Sequence, residues 1–225
     1  MSFKRFREWQ HGEFVICFVD MAAGGEDNCA AQFLSHKWLD VPEVYHANVT
    51  GSFVTPLIHE ELIKISQTTG VAPIVAFERQ NGGSYEMDRL ARLNRYGDYR
   101  IYSMKNIDPT GRMIDTGKLG WDTTMATRPK MLQELKDAIE GGLLHLYHRQ
   151  TVNELFSFVI KPSGKAEAEQ GAHDDLVMAL AGAWQLYQSE KPINPDSDSG
   201  VVETIQPRQM YKEAGVLYAG EEYAN

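Results

Sequence analysis

Two apolar runs that each end on an acid constrain this chain more than any other feature. Phe14 to Val19 is a continuous run of β-branched and aromatic residues, followed at once by Asp20. Residues 72–77, APIVAF, form the second, and Glu78 follows it directly. A run without polar alternation suits a strand covered on both faces, which places it in the middle of a sheet. Each acid is followed within a few residues by two glycines, Gly24-Gly25 and Gly82-Gly83. Ligands of open α/β sheets bind at such strand ends, and a loop with few side chains leaves room for a metal or a phosphate. Taken alone, Asp20 reads equally well as the first residue of a turn.

The remaining elements follow from periodicity and punctuation. Residues 29–36 and 42–49 read as second and third strands of an antiparallel meander begun by 14–20. Thr55-Pro56 predicts a helix start, with Pro56 at the first helical position, and Leu57, Ile58, Leu62, Ile63 and Ile65 carry the helix to Gly70. Ser84 is placed to cap a helix running to about Tyr96, and residues 99–104 form a fifth strand. The Gly-, Thr- and Asp-rich stretch 105–126 reads as a hairpin or long loop. Thr127 opens a helix that Gly141-Gly142 stop. Short apolar pieces at 143–147 and 155–160 precede a polar loop, 161–172. His173-Asp174-Asp175 then lead into LVMALAGAWQLYQ, a helix apolar almost all round. Alternation after an opening meander predicts an α/β fold with a mixed sheet, antiparallel over its first three strands and then parallel, flanked by helices.

Composition bounds the function. No apolar run approaches a membrane span, and the N-terminal MSFKRFREWQHGE lacks the apolar core of a signal peptide. Cys17 and Cys29 both fall in predicted strands, which suits buried thiols in a reducing cytoplasm. A formal net charge of −9 argues against a generic polyanion binder. A nucleic-acid substrate therefore needs local neutralisation by metal ions, a confined basic patch or a second domain.

The acids suggest the first of these. Asp20 and Glu78 each end an apolar strand, and on adjacent strands they would share one edge of the sheet; Asp174-Asp175 stand at the start of a helix that must be buried. Acids favour helix N-termini, but capping accounts for only one of the pair. Gathered in space, Asp20, Glu78 and Asp175 would repel unless cations intervened, and hard oxygen ligands select Mg²⁺ or Mn²⁺. Two such ions about 3.5–4 Å apart serve in-line phosphoryl displacement. Asp20, at the centre, would bridge both.

Four passages then resemble a known family: FVDMAAGGEDNCAA (18–31), PIVAFERQNGG (73–83), TGKLGWDTTMATRPKMLQELKDAI (116–139) and GAHDDLVMALAGAW (171–184). The pattern is similar to the nuclease domain of the large terminase subunit of tailed bacteriophages, which has an RNase H-like, retroviral-integrase-like fold. The resemblance spans about residues 12–188. It implies a metal-dependent endonuclease that cuts concatemeric double-stranded viral DNA during genome packaging, with two Mg²⁺ or Mn²⁺ ions per site. It implies Asp20, Glu78 and Asp175 as catalytic metal ligands, Asp174 and Asp27 as accessory metal-binding acids, and His173 as a residue orienting one of them. It implies a backbone contact for Lys118, which otherwise reads as a solvated hairpin lysine. Arg79, beside Glu78, could contact phosphate or pair with an acid. Implied partners are an ATPase motor domain, the portal and the small terminase subunit, with no membrane. The implied location is the host cytoplasm, transiently at the procapsid portal.

The family carries an N-terminal ATPase, and no Walker A pattern occurs here. Residues 1–12 are therefore expected to link to a missing motor, 13–188 to form the nuclease domain, and 189–225 to be a flexible or weakly docked tail. Trp121 and Trp184 are expected to pack rather than stack on bases. The histidines do not group into metal-ligand spacing, so no zinc site is expected. Rival functions are another RNase H-like nuclease, such as a junction resolvase or hybrid RNase, and a non-catalytic portal-docking module whose acids merely cap.

Overall fold

The run at Phe14 to Val19 becomes the centre of the molecule. The computed structural model describes residues 3–22, 28–160, 166–168 and 174–192. In chain order the elements are β1 (Lys4–Arg5), β2 (Val15–Asp20), β3 (Cys29–Ser35), β4 (Asp40–Val41), β5 (Glu43–Ala47) and α1 (Gly51–Thr69). Then come β6 (Ile74–Phe77), α2 (Gly83–Leu93), β7 (Arg100–Ile101), β8 (Ser103–Ile107), β9 (Met113–Leu119) and α3 (Thr127–Glu140). The last are β10 (His145–Leu146), α4 (Arg149–Phe156), β11 (Phe158–Ile160), β12 (Ala166–Ala168) and α5 (Asp175–Ser189). The main sheet has the order β1-β5-β3-β2-β6-β7. β2, β3 and β5 pair antiparallel, whereas β2–β6 and β6–β7 are parallel, the mixed arrangement expected.

Every residue of β2 is buried because both faces of the sheet are covered. Strand side chains alternate between faces. Ile16 and Phe18, with Ile74 and Ala76, belong to the core that holds Met131 and Leu135 of α3 and the apolar residues of α5. Val15, Cys17 and Val19, with Val75 and Phe77, belong to the core under Ile58 and Leu62 of α1 and Met87 and Leu90 of α2. α5 lies so close to the sheet that a Cβ on Gly182 would sit 2.4 Å from the Phe18 ring. The same alternation puts Asp20 and Glu78 on the α5 side.

Three local expectations are corrected. α1 begins at Gly51, a turn before the predicted start, so Pro56 lies inside it. Proline removes the N–H that would bond the carbonyl four residues back. That carbonyl belongs to Ser52, and Arg89 Nη1 of α2 donates to it instead at 2.8 Å. A tertiary bond thus replaces the missing helical one, which no local rule anticipates. α2 begins at Gly83 with Ser84 already inside it. Within the expected polar loop 161–172, residues 166–168 form β12, antiparallel to β11. The hairpin expected within 105–126 is β8–β9, and it starts slightly earlier.

Residues 3–12, read as a linker, pack against the sheet. β1 pairs with β5. Arg7 binds both Glu13 and Asp40, Arg5 binds Glu43, and the buried Trp9 donates its indole N–H to Glu43 at 2.9 Å. The basic residues of this segment satisfy buried acids that would otherwise lack counter-charge. The described part of the tail ends at 192, and 193–225 lie outside the described residues. No helix among the described residues is long and apolar enough to cross a membrane.

Candidate metal centre

β2 and β6 are parallel neighbours, with Val19 opposite Phe77. The next residues are Asp20 and Glu78, so the two acids leave adjacent strands at one sheet edge. Glu78 N donates to Val19 O at 2.8 Å, which keeps the ladder intact up to the acids. The following loops are tied together, since Asn81 Nδ2 donates to Met21 O at 3.2 Å. Gly83 has a packing role rather than the open space inferred from sequence: a Cβ there would lie 1.7 Å from the Glu78 carbonyl oxygen. On its outer side Glu78 is bridged by Trp121, whose N–H donates to Phe77 O at 2.9 Å.

Asp20 and Glu78 are both nearly buried and touch through a carboxyl–carboxyl hydrogen bond. Burial drives the Asp20 carboxyl well above its ordinary value. The hydrogen bond to Glu78, then the charges of Glu78, Asp175 and Asp174, push it further the same way. Three neighbouring acids thus act on Asp20. Burial together with neighbouring like charges raises a carboxyl in this way.

Asp175 opens α5 on the same face. Asn28 Nδ2 donates to its Oδ2 at 3.3 Å, and His46 Nε2 stands 3.9 Å from that oxygen. His46 reaches it through register: Asp20 pairs with Ala30, and Ala30 with His46. The row has a small residue in its middle, so the outer two can approach the same space.

Neither aspartate caps α5. Asp174 occupies the N-cap position without a side-chain cap bond, and its Oδ2 accepts from Arg128 Nη2 at the start of α3. The cap comes from Glu154 of α4, whose Oε2 accepts from Leu176 N at 3.0 Å, with Val177 N also bonded to it. Burial raises the Glu154 carboxyl to about 7. The capping explanation that competed for Asp174 and Asp175 is thus taken up by a different residue. Glu154→Ala removes an acceptor from two helix N–H groups. The expected cost is about 1–2 kcal/mol, or roughly 2–8 °C in melting temperature; Glu154→Gln, which keeps an acceptor, is expected to lose less. Equal melting temperatures for Glu154→Ala and the unaltered chain would contradict the cap.

The other expected site residues fall as follows. Lys118 is exposed on β9. Arg79 is engaged within the fold, with Nε 3.1 Å from Asp122 Oδ1 and Nη1 donating to Leu119 O. Asp27 and His173 lie outside the described residues. Trp184 packs in the core and stacks on Tyr187 at 4.8 Å. Glu154, Asn28, His46 and Arg128 escaped sequence reasoning. Arg128 stood in view within Thr-Arg-Pro without a role. Glu154 sits in a short helix with no motif.

Among the described residues, no three His, Cys, Asp or Glu side chains are grouped so that they could hold a metal ion as they stand. The donor set nevertheless fits a hard divalent cation: all-oxygen acids, two of them nearly buried.

No protein-family model matches the sequence. Solved structures do resemble this one. The nuclease domain of the large terminase of phage G20c, in a form with magnesium bound, aligns with a TM-score of 0.57 at 14% identity, covering 82% of this chain and 87% of that one. The corresponding domain of Thermus phage P74-26 gives 0.57 at 15% identity over 86% and 90%. The human cytomegalovirus terminase nuclease domain, soaked in manganese, gives 0.50 at 13% identity over 79% and 84%. The fold is that of the large-terminase nuclease domains. A terminase-nuclease fold is of the RNase H-like type, with the mixed sheet and flanking helices described above.

Proposed function

We propose that this chain is a metal-dependent endonuclease that cuts double-stranded viral DNA concatemers during genome packaging. The observation that carries the reading is the convergence of Asp20, Glu78 and Asp175, distant in sequence, on one face at one sheet edge. Asp174, beside them, adds a further carboxylate. Two structural relatives hold or were soaked in divalent metals, magnesium in one and manganese in the other.

Asp20, Glu78 and Asp175 would hold two Mg²⁺ or Mn²⁺ ions. Bound ions would lower the pKa of an attacking water and neutralise charge on the leaving 3′ oxygen. The protein's share is positional. The β2–β6 ladder fixes Asp20 relative to Glu78. Asn28 and His46 flank the Asp175 carboxylate, and the Glu154 cap fixes the helix that carries it. Asp27 and His173 belong to this reading as accessory ligand and orienting residue, and Lys118 as a backbone contact. Partners would be an ATPase motor domain, the portal and the small terminase subunit, in the host cytoplasm.

The test is cleavage of linear duplex DNA by the purified chain with Mn²⁺, run beside a four-way junction and an RNA–DNA hybrid. Mn²⁺-dependent cutting of the duplex is the expected result. Cutting confined to junction or hybrid would move the assignment to a resolvase or hybrid RNase. Absence of both cutting and Mn²⁺-induced stabilisation would leave a docking module.

A further inference from the structure

We propose that Arg128 is a DNA-phosphate contact held in reserve by Asp174. The inference rests on the nuclease reading and adds a substrate-binding residue to it.

Arg128 lies in the first turn of α3 and its Nη2 donates to Asp174 Oδ2, next to the catalytic acids. The guanidinium is half-used. Nε is buried and has no hydrogen-bond partner. Nε–H and Nη2–H form one edge of the guanidinium, a fork whose spacing matches two oxygens of a carboxylate or a phosphate. Asp174 fills one prong and leaves the other empty. A buried donor without an acceptor costs about 1–3 kcal/mol, so the fork is poised for a ligand that fills both prongs.

Phosphate fits this position better than another acid. It offers several oxygens to a planar fork, and arginine is the side chain suited to such recognition. The place is right as well. Arg128 approaches the acids from the N-terminal end of α3, where the helix dipole also favours an anion. Arg79, the other arginine near the centre, is bound to Asp122 and the Leu119 carbonyl. In a chain of net charge −9, a cation delivered beside the scissile position would supply local neutralisation. Asp174 masks it until the carboxylate is otherwise engaged, which keeps the metal-free protein from gripping DNA.

A double-mutant cycle on DNA affinity tests this without metal and without cleavage. Binding of a short duplex is measured by fluorescence anisotropy in EDTA across a salt series, for the unaltered chain, Asp174→Asn, Arg128→Ala and the double variant. Asp174→Asn is expected to tighten binding several-fold and to steepen the plot of log K against log salt by about 0.9, the value for one phosphate. Both gains should vanish in the double variant, while Arg128→Ala alone changes little, because Arg128 is already occupied. If Asp174→Asn gains as much with Arg128→Ala present, the gain is the loss of one negative charge and the proposal fails. It fails equally if Asp174→Asn gains nothing. Thermal melts of all four proteins exclude unfolding as the cause. Mn²⁺-dependent cutting by the unaltered chain, measured separately, reports on the nuclease reading, so either idea can fall while the other stands.

Discussion

Asp20→Asn is expected to remove Mn²⁺-dependent cleavage while making the metal-free protein more stable. The two effects have one cause. Asp20 sits nearly buried against Glu78, within the fields of Asp175 and Asp174, and its carboxyl is held well above the ordinary range by burial and by those charges. Asparagine keeps the shape and can donate a hydrogen bond to Glu78. It no longer asks the fold to bury a charge. Relief on the order of 1–2 kcal/mol is reasonable for one poorly compensated buried polar group. That corresponds to a rise of roughly 2–8 °C. Cleavage should fall by at least about 10²–10³-fold, the range seen when a group stabilising transition-state charge is removed. Asp175→Asn is expected to lose cleavage similarly, with a smaller gain in stability because Asn28 already donates to its carboxylate. Opposite signs for stability and activity separate a functional acid from a structural one. Cleavage at the unaltered rate would remove Asp20 from the chemistry. A melting temperature several degrees lower would make it a structural acid.

The two acid-tipped strands were legible because a buried strand with no polar alternation has little freedom in where it goes, and a charge at its end has to emerge at a sheet edge. The apolar helix after Asp175 was legible for the same reason. What remained hidden depends on tertiary partners. Pro56 looks like a helix start until Arg89 arrives from α2 to take the Ser52 carbonyl. Asp174 and Asp175 look like caps until Glu154 arrives from α4. His46 has no motif; it reaches Asp175 only because β3 and β5 pair in a register that puts Ala30 between it and Asp20. The basic segment 3–12 read as a linker, and its arginines prove to neutralise Glu13, Asp40 and Glu43. In each case the sequence carries the residue but not the neighbour that decides its use.

The same excess of buried acid should make the metal-free protein lose stability as pH rises, and divalent metal should reverse the trend. Asp20 is held above its ordinary value of 3.8, and burial lifts Glu154 from 4.5 to about 7. Between the ordinary values and the raised ones, the folded chain keeps protons that the unfolded chain has released. Stability then falls with rising pH, because the native state binds more protons. The contribution of Glu154 is fully present below 4.5 and lost through about 7; that of Asp20 is fully present below 3.8 and lost as pH rises through its raised value. In EDTA these two carboxyls therefore pull the melting temperature down from pH 5 to pH 8, against His36 and His148, which burial holds at about 4 and which pull it up below 6.5. Metal binding requires deprotonated carboxylates, so Mn²⁺ should stabilise little at pH 5 and most at pH 8. At a free concentration a hundred times its dissociation constant it adds about 2.7 kcal/mol, or roughly 5–11 °C. Glu154→Gln should flatten part of the EDTA slope and leave the Mn²⁺ shift in place, whereas Asp20→Asn should flatten the slope and abolish the shift. A Mn²⁺ shift at pH 8 that survives Asp20→Asn undiminished would place the ion elsewhere on the molecule. Equal EDTA slopes for the unaltered chain and Asp20→Asn would mean that these carboxylates are not crowded as described, since that comparison cancels the opposite trend of His36 and His148.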